Sequence, residues 1–336
     1  MRDRFLYCGK FKVIPKKVLE YIIRMVPYVL EKILPVSVLS ALRNLRSDKL
    51  CELRLRSGGA VSVSYCGRYS YLTSGGIADK PEGALKLTED DLKQIMLRAC
   101  DKSLYAVNDR ICKGYLTLDG GVRIGVAGET VFEGGAIKTV KNFTALNIRI
   151  PHEVIGCANK VEPYLFNGTR YKSTLIVSPP GAGKTTMLRD LARIAASRVE
   201  HNNVLIADER EEIAAVSNGK PSLNVGFNSD VISGCTKEYA FMHGIRALKP
   251  DIIVTDELCG KDDADAVENA VASGVCVFAS VHADCCARLA EKRGFERLLK
   301  NKSFERFVEL SERSGAGTLE GIFNQDFSPI RRGEPQ

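Results

Sequence analysis

The stretch Thr174-Leu-Ile-Val-Ser-Pro-Pro-Gly-Ala-Gly-Lys-Thr-Thr-Met-Leu188 reads as a strand, a loop and a helix in immediate succession. Residues 174–177 form a short apolar run with the look of a buried strand, and residues 178–183 are a loop rich in Pro and Gly. Lys184 then opens a helix whose apolar positions Leu188, Leu191 and Ile194/Ala195 recur at helical spacing. This is the context a phosphate-binding loop requires. Gly181 and Gly183 let backbone N–H groups turn inward around phosphate oxygens, where a side chain would intrude, and Pro180, Ala182 and Thr186 complete the candidate cradle. The helix N-terminus adds its positive dipole end. Lys184 offers a point charge to β- and γ-phosphates, and Thr185 a hydroxyl to Mg²⁺. The strict motif wants Gly at the position taken here by Ser178.

Downstream, strands alternate with helices, which predicts a mostly parallel sheet. Residues 204–208, 251–256 and 275–280 read as strands, and 239–248 and 262–273 as helices. Residues 307–310 and 318–323 flank a Gly-rich turn and read as a terminal hairpin. The strand Ile252-Ile-Val-Thr-Asp-Glu257 ends in two acids. Asp256 suits Mg²⁺ through its water shell, and Glu257 suits polarising a water for in-line attack on a γ-phosphate. Asp208 and Glu209 end another strand, on the side where open α/β sheets bind ligands, and read either as groups behind the metal or on its waters, or as a helix cap and a surface pair. His282 follows a further strand and is a candidate to hydrogen-bond the γ-phosphate. Arginine donors to a transferring phosphate are to be sought among Arg123, Arg149, Arg210 and Arg246.

Upstream, the period changes. Leu19, Ile22/Ile23, Val26, Leu30 and Ile33/Leu34 have helical spacing with Pro27 as a break, and a further helix is expected over 36–45. Residues 51–56 alternate polar and apolar, and 60–65 with 69–72 read as a hairpin. Thr88-Glu-Asp-Asp91 resembles a capping box and starts a helix carrying Leu92, Ile95/Met96 and Ala99, with another helix over 105–112. Strands are expected at 115–118, 122–127 and 144–150, with a hairpin turn at Gly134-Gly135. The domain expectation is therefore an α+β domain over 1–150, a junction over 151–170, and an α/β domain over 171–330 with a central, mostly parallel sheet.

Composition bounds the rest. Among 336 residues, 45% are hydrophobic, enough to build two cores. A net charge of +7 permits an acidic partner surface without selecting one. Eleven cysteines show no C-x-x-C pair and read as reduced thiols, and Cys285-Cys286 beside His282 lacks a second ligand pair for a metal. The apolar region 18–42 is interrupted by charges and prolines, so it does not read as a membrane span, and a signal-peptide order is missing.

Together, Glu52-Leu-Arg-Leu-Arg56, Gly120-Gly-Val-Arg-Ile-Gly125, Asn147-Ile-Arg-Ile150, Ser178 to Thr186, Ala207-Asp-Glu-Arg210, Arg246-Ala-Leu-Lys-Pro-Asp251, Thr255-Asp-Glu257 and Ser280 to Asp284 resemble the stage III sporulation protein AA family. That family is itself similar to the hexameric ATPases of type II and type IV secretion. The additional strand 204–208 and the Asp-Glu strand end resemble RecA-like P-loop ATPases. The resemblance implies an ATPase using ATP and Mg²⁺, built as a homo-hexameric ring in the mother-cell cytoplasm. It would power a channel or secretion complex at the forespore membrane through membrane partners. By position, Lys184, Thr185, Asp256 and Glu257 match the hydrolysis motifs, and Asp208/Glu209 and His282 match the aspartate- and histidine-box segments less closely.

A nucleic-acid-dependent ATPase, such as a helicase loader or DNA motor, is the alternative from another class. Trp is absent and aromatics are 7%, with no stacking platform interleaved with basic residues, so nucleic acid is the weaker partner. A nucleotide-gated scaffold without turnover is the third.

Overall fold

The computed structural model describes residues 27–330 apart from 102, 104–106, 199–201, 218 and 293. The expected basic lead-in and the apolar positions before Pro27 lie outside the described residues, as does part of the helix expected over 105–112. Contacts divide the chain into two units, Met1–His152 and Glu153–Gln336.

In the first unit, alternation along β1 (Leu50–Arg56) sends Leu53 and Leu55 to full burial and leaves Arg56 exposed. Six further strands extend this ladder: β2 (Ser62–Tyr65), β3 (Arg68–Thr73), β4 (Gly76–Ala78), β5 (Tyr115–Thr117), β6 (Arg123–Glu133) and β7 (Ala136–Arg149). The order is β4-β3-β2-β1-β7-β6-β5, with every neighbouring pair antiparallel. Helices Tyr28–Ile33, Val36–Leu42 and Glu89–Ala99 supply Leu30, Ile33, Val38, Leu92 and Ile95 to the core under one sheet face. Pro27 and Pro35 sit at the N-caps of the first two helices, where a missing N–H costs nothing. The Thr88 capping box is present, with Asp91 in the acid position. The strands expected at 122–127 and 144–150 are parts of one long β6–β7 ribbon, whose outer half is too exposed to alternate visibly.

In the second unit, a seven-stranded sheet runs β12-β9-β13-β14-β8-β15-β16. Its strands are β8 (Thr174–Ser178), β9 (Val204–Asp208), β12 (Ser229–Ser233), β13 (Ile252–Glu257), β14 (Cys276–His282), β15 (Arg306–Ser311) and β16 (Thr318–Asn324). All pairs are parallel except the terminal β15–β16 hairpin. All five residues of β8 are buried because both faces of the sheet are covered. Ile176 faces the core built with Leu188, Leu191 and Ala195 of the helix Lys184–Ala196. Leu175 and Val177 face the opposite core, with Phe241 of the helix Lys237–Leu248 and Val267 of the helix Lys261–Ala272. Gly244 lets the former helix approach the sheet, since a Cβ there would stand 2.1 Å from Leu205 Cδ2.

Three features escaped the sequence reading. The edge strand β12 is polar and short. A two-residue pair, β10 (Val216–Ser217) with β11 (Lys220–Pro221), makes a small separate hairpin. Within the expected junction 151–170, 3₁₀ turns at Cys157–Lys160 and Glu162–Tyr164 set Ala158, Val161 and Leu165 in the second unit's core.

Candidate functional site

Parallel pairing aligns the C-terminal ends of β8, β14, β13 and β9 on one edge of the sheet, so Ser178, His282, Glu257 and Asp208 end neighbouring strands. His282 is in register with Ser178, and Glu257 with Ser280. Four strands far apart in sequence thereby deliver their last side chains to one place.

The loop after β8 turns through Gly181 (φ 81°) and Gly183 (φ 86°), both left-handed, and Gly183 caps the helix that begins at Lys184. Ser178 is the last residue of β8 and has no left-handed φ, so a glycine is not required there. Its buried hydroxyl donates to Pro179 O at 2.9 Å and accepts from Lys184 Nζ at 3.2 Å. Lys184 is itself 7% exposed and also donates to the carbonyls of Ser178 (3.1 Å) and Pro179 (2.9 Å). Burial pushes its ammonium down to about 8, against the opposing pull of Glu257. Pro180 is exposed beside the loop, Ala182 is buried beneath it, and Thr185 and Thr186 are half-buried in the first helical turn.

A linked row of side chains continues from Lys184. Its Nζ lies 2.7 Å from His282 Nδ1, and His282 Nε2 lies 3.0 Å from Glu257 Oε2. With an ammonium facing Nδ1, that nitrogen accepts and Nε2–H donates to the carboxylate. Burial and the Lys184 charge lower the His282 pKa, which keeps the ring neutral at pH 7. Arg210 Nη1 reaches the same Glu257 oxygen at 3.2 Å.

Beside Glu257, Asp256 is 4% exposed. Its Oδ1 forms an ion pair with Lys237 Nζ at 2.9 Å, and Oδ2 has no hydrogen-bond partner among the described residues. Burial pushes this carboxyl up to about 6 despite Lys237. Lys237 Nζ also lies 2.6 Å from Glu209 Oε2 and 4.0 Å from Asp263 Oδ2.

The expectation that Asp208 serves the metal is corrected. Asp208 is fully buried, and its Oδ1 accepts from the N–H groups of Glu212 (2.9 Å) and Ile213 (3.0 Å). Its Oδ2 accepts from Ala214 (2.8 Å) and Ala215 (3.3 Å). Four backbone donors occupy the carboxylate, which therefore folds residues 209–215 rather than facing a cation. Glu209 turns to Lys237 instead. Among the four candidate arginines, Arg210 stands in the second unit's row, whereas Arg246 is exposed on its helix. Arg149 and Arg123 belong to the first unit, with Arg149 Nε 3.7 Å from Glu52 and Arg123 over the Tyr115 ring at 3.9 Å.

Two residues were missed. Lys237 opens its helix, where a cation opposes the dipole, and that misplacement was the readable signal. Glu312 follows β15 at the hairpin tip, and its Oε1 lies 2.5 Å from where a Cβ on Gly181 would stand. The same tip donates Gly317 N–H to Ala182 O at 3.0 Å. Nothing in the local sequence around Glu312 points to the loop.

The family model for sporulation stage III, protein AA, matches residues 20–330. The chain belongs to the sporulation stage III protein AA family. The stage III sporulation protein AA of Bacillus subtilis (strain 168) is 33% identical to this family member over 309 residues, spanning 90% of this chain and 96% of that one. Among solved structures, the ATPase DotB of Yersinia pseudotuberculosis shares its fold at 16% identity and a TM-score of 0.55, covering 82% of this chain and 76% of that chain. The pilus retraction motor PilT with bound ADP does so at 14% identity and a TM-score of 0.54, covering 85% and 78%. The AA-family chain thus shares the α/β fold of the ATPase DotB and of the pilus retraction motor PilT.

Proposed function

We propose that this AA-family chain is a Mg²⁺-dependent ATPase of the secretion-motor type, built on a RecA-like core. The observation that carries this reading is the row Lys184–His282–Glu257, with Asp256 adjoining and its buried Oδ2 without a hydrogen-bond partner among the described residues. A carboxylate oxygen buried without a donor is costly, and a hydrated divalent cation supplies what it lacks. Among the described residues, no group of three or more His, Cys, Asp or Glu side chains is arranged to hold a metal alone. This suits Mg²⁺, which binds through one or two protein groups plus substrate phosphates. When bound, Mg²⁺ neutralises charge developing on the phosphates. Asp256 and Thr185 would hold it.

The loop N–H groups from Pro180's neighbour Gly181 through Thr186 would cradle phosphate oxygens. Lys184 has to leave the carbonyls of Ser178 and Pro179 to reach them, and that move releases His282 Nδ1. Glu257 is the group to orient and polarise the attacking water, held meanwhile by His282 and Arg210.

A motor of this kind works as a homo-hexameric ring, and we assign it to the mother-cell side of a sporulation channel. No described helix is long and apolar enough to cross a membrane, so membrane contact is assigned to partner proteins. Purified chain assayed for phosphate release tests the reading. Lys184→Ala should lose both nucleotide binding and turnover, while Glu257→Gln should keep ATP binding and lose turnover by about 10²-fold or more. Wild-type rates in both variants would sink it. Turnover that rises steeply with single-stranded DNA would move the assignment to nucleic-acid work.

A further inference from the structure

The ammonium of Lys237 is placed against helix energetics. It stands on the first residue of the helix Lys237–Leu248, at the positive end of the dipole, and its side chain is only 3% exposed. A lysine buried there has to be compensated by other groups. Three carboxylates from three elements do so: Glu209 after β9 at 2.6 Å, Asp256 in β13 at 2.9 Å, and Asp263 in the helix Lys261–Ala272 at 4.0 Å. Burial acts to lower the Lys237 pKa, but Asp256 and the Glu209 contact outweigh it, so the group stays charged.

This cluster has an uneven charge balance. One ammonium against three carboxylates leaves two negative charges, which one divalent cation matches. Lys237 engages Oδ1 of Asp256, while Oδ2, buried and without a hydrogen-bond partner among the described residues, is the oxygen left for that cation or its water.

We propose that Lys237 is a resident counter-cation of this site. It positions the Asp256 carboxylate with one oxygen free, and it weakens divalent-cation binding when no nucleotide is present. The inference rests on the ATPase reading for its biological sense, but its physical content is separate. A fixed positive charge a few ångströms from a metal position repels the metal strongly in a buried setting. Metal would then bind more tightly together with the nucleotide, whose phosphates add further negative charge and oxygen ligands beside Asp256.

The test is a Mn²⁺ titration of the full chain without nucleotide, followed by electron paramagnetic resonance, for the wild type, Lys237→Met, Lys237→Gln and Lys237→Arg. The neutral variants are expected to bind Mn²⁺ at least tenfold more tightly than wild type. The arginine variant should stay weak, and Asp256→Asn added to Lys237→Gln should abolish the gain. A natively folded neutral variant that binds no more tightly than wild type overturns the proposal, because a purely structural lysine would lower stability without changing metal affinity. Two neutral variants guard against one that fails to fold. Turnover measured in parallel separates the two ideas. A chain without ATP hydrolysis that still gains Mn²⁺ affinity keeps this proposal and removes the motor, and hydrolysis without the gain removes this proposal alone.

Discussion

Asp208 and Asp256 close paired parallel strands, β9 and β13, and both are almost completely buried, yet the two strand ends are opposites. The first carboxylate is used up by four backbone N–H groups and shapes the turn that follows it. The second pairs with a lysine through one oxygen, and its other oxygen has no hydrogen-bond partner among the described residues. A buried carboxylate with all its acceptor sites filled is architecture. One kept partly unsatisfied next to a charged row carries a standing cost, and such costs concentrate where chemistry is done.

The contrast is sharpest in stability. Asp208→Ala strands three buried donors and one half-buried one, and each buried loss costs on the order of 1–3 kcal/mol. The variant should lose about 4 kcal/mol or more in the second unit's unfolding transition, read from its urea midpoint. Asp256→Asn should behave in the reverse way. It removes a desolvated carboxylate but leaves the buried Lys237 ammonium to Glu209 and Asp263, so the stability loss should stay below that of Asp208→Ala, while turnover falls by about 10²–10³-fold. Equal stability losses in the two variants would erase the distinction.

A third expectation concerns the neighbouring strand end. The Lys184 ammonium is lowered to about 8, so it is fully charged well below that pH and loses its proton as pH rises through it. A phosphate ligand favours the charged form and raises the value. ADP affinity should therefore fall above pH 8, by up to about tenfold per unit. Calorimetry or a fluorescent nucleotide reads the profile, and an affinity that stays flat through pH 8 would mean that the Lys184 charge plays no part in binding. The smallest effect is expected at the hairpin tip. Glu312→Gln removes a negative charge that stands over Gly181, where phosphate would approach. ADP should bind about threefold to tenfold more tightly, at moderate salt. Unchanged affinity would mean that the tip moves aside without electrostatic cost.

Much of the second unit was legible because each signal was local. A strand, a Pro/Gly loop and a helix start lie within residues 174–188, and β9, β13 and β14 are short apolar runs of strand length. Ser178 looked like a departure from the loop motif, and the backbone explains it: the chain is still extended there, and the hydroxyl holds Lys184. The edge strand β12 was not legible, since a polar strand bonded along one side lacks the apolar run that marks a central one. In the first unit, the capping box and the β1 alternation were visible, but the length of the β6–β7 ribbon was not, because its outer half is largely exposed and imposes no period.

What the amino-acid order determined by itself is which strand ends carry ionisable groups: Lys184 after the loop, Asp256 and Glu257 at the end of one strand, His282 at the end of another. Those follow from short-range rules of burial, turn geometry and charge. Only the tertiary structure decided how these groups are used. Which of two buried aspartates receives backbone donors depends on the path of residues 209–215. That Lys237 meets Asp256, and that Glu312 lies over Gly181, depends on strands and helices brought together from distant parts of the chain. Electrostatic partnership is a matter of ångströms, and those distances exist only once the sheet has been assembled.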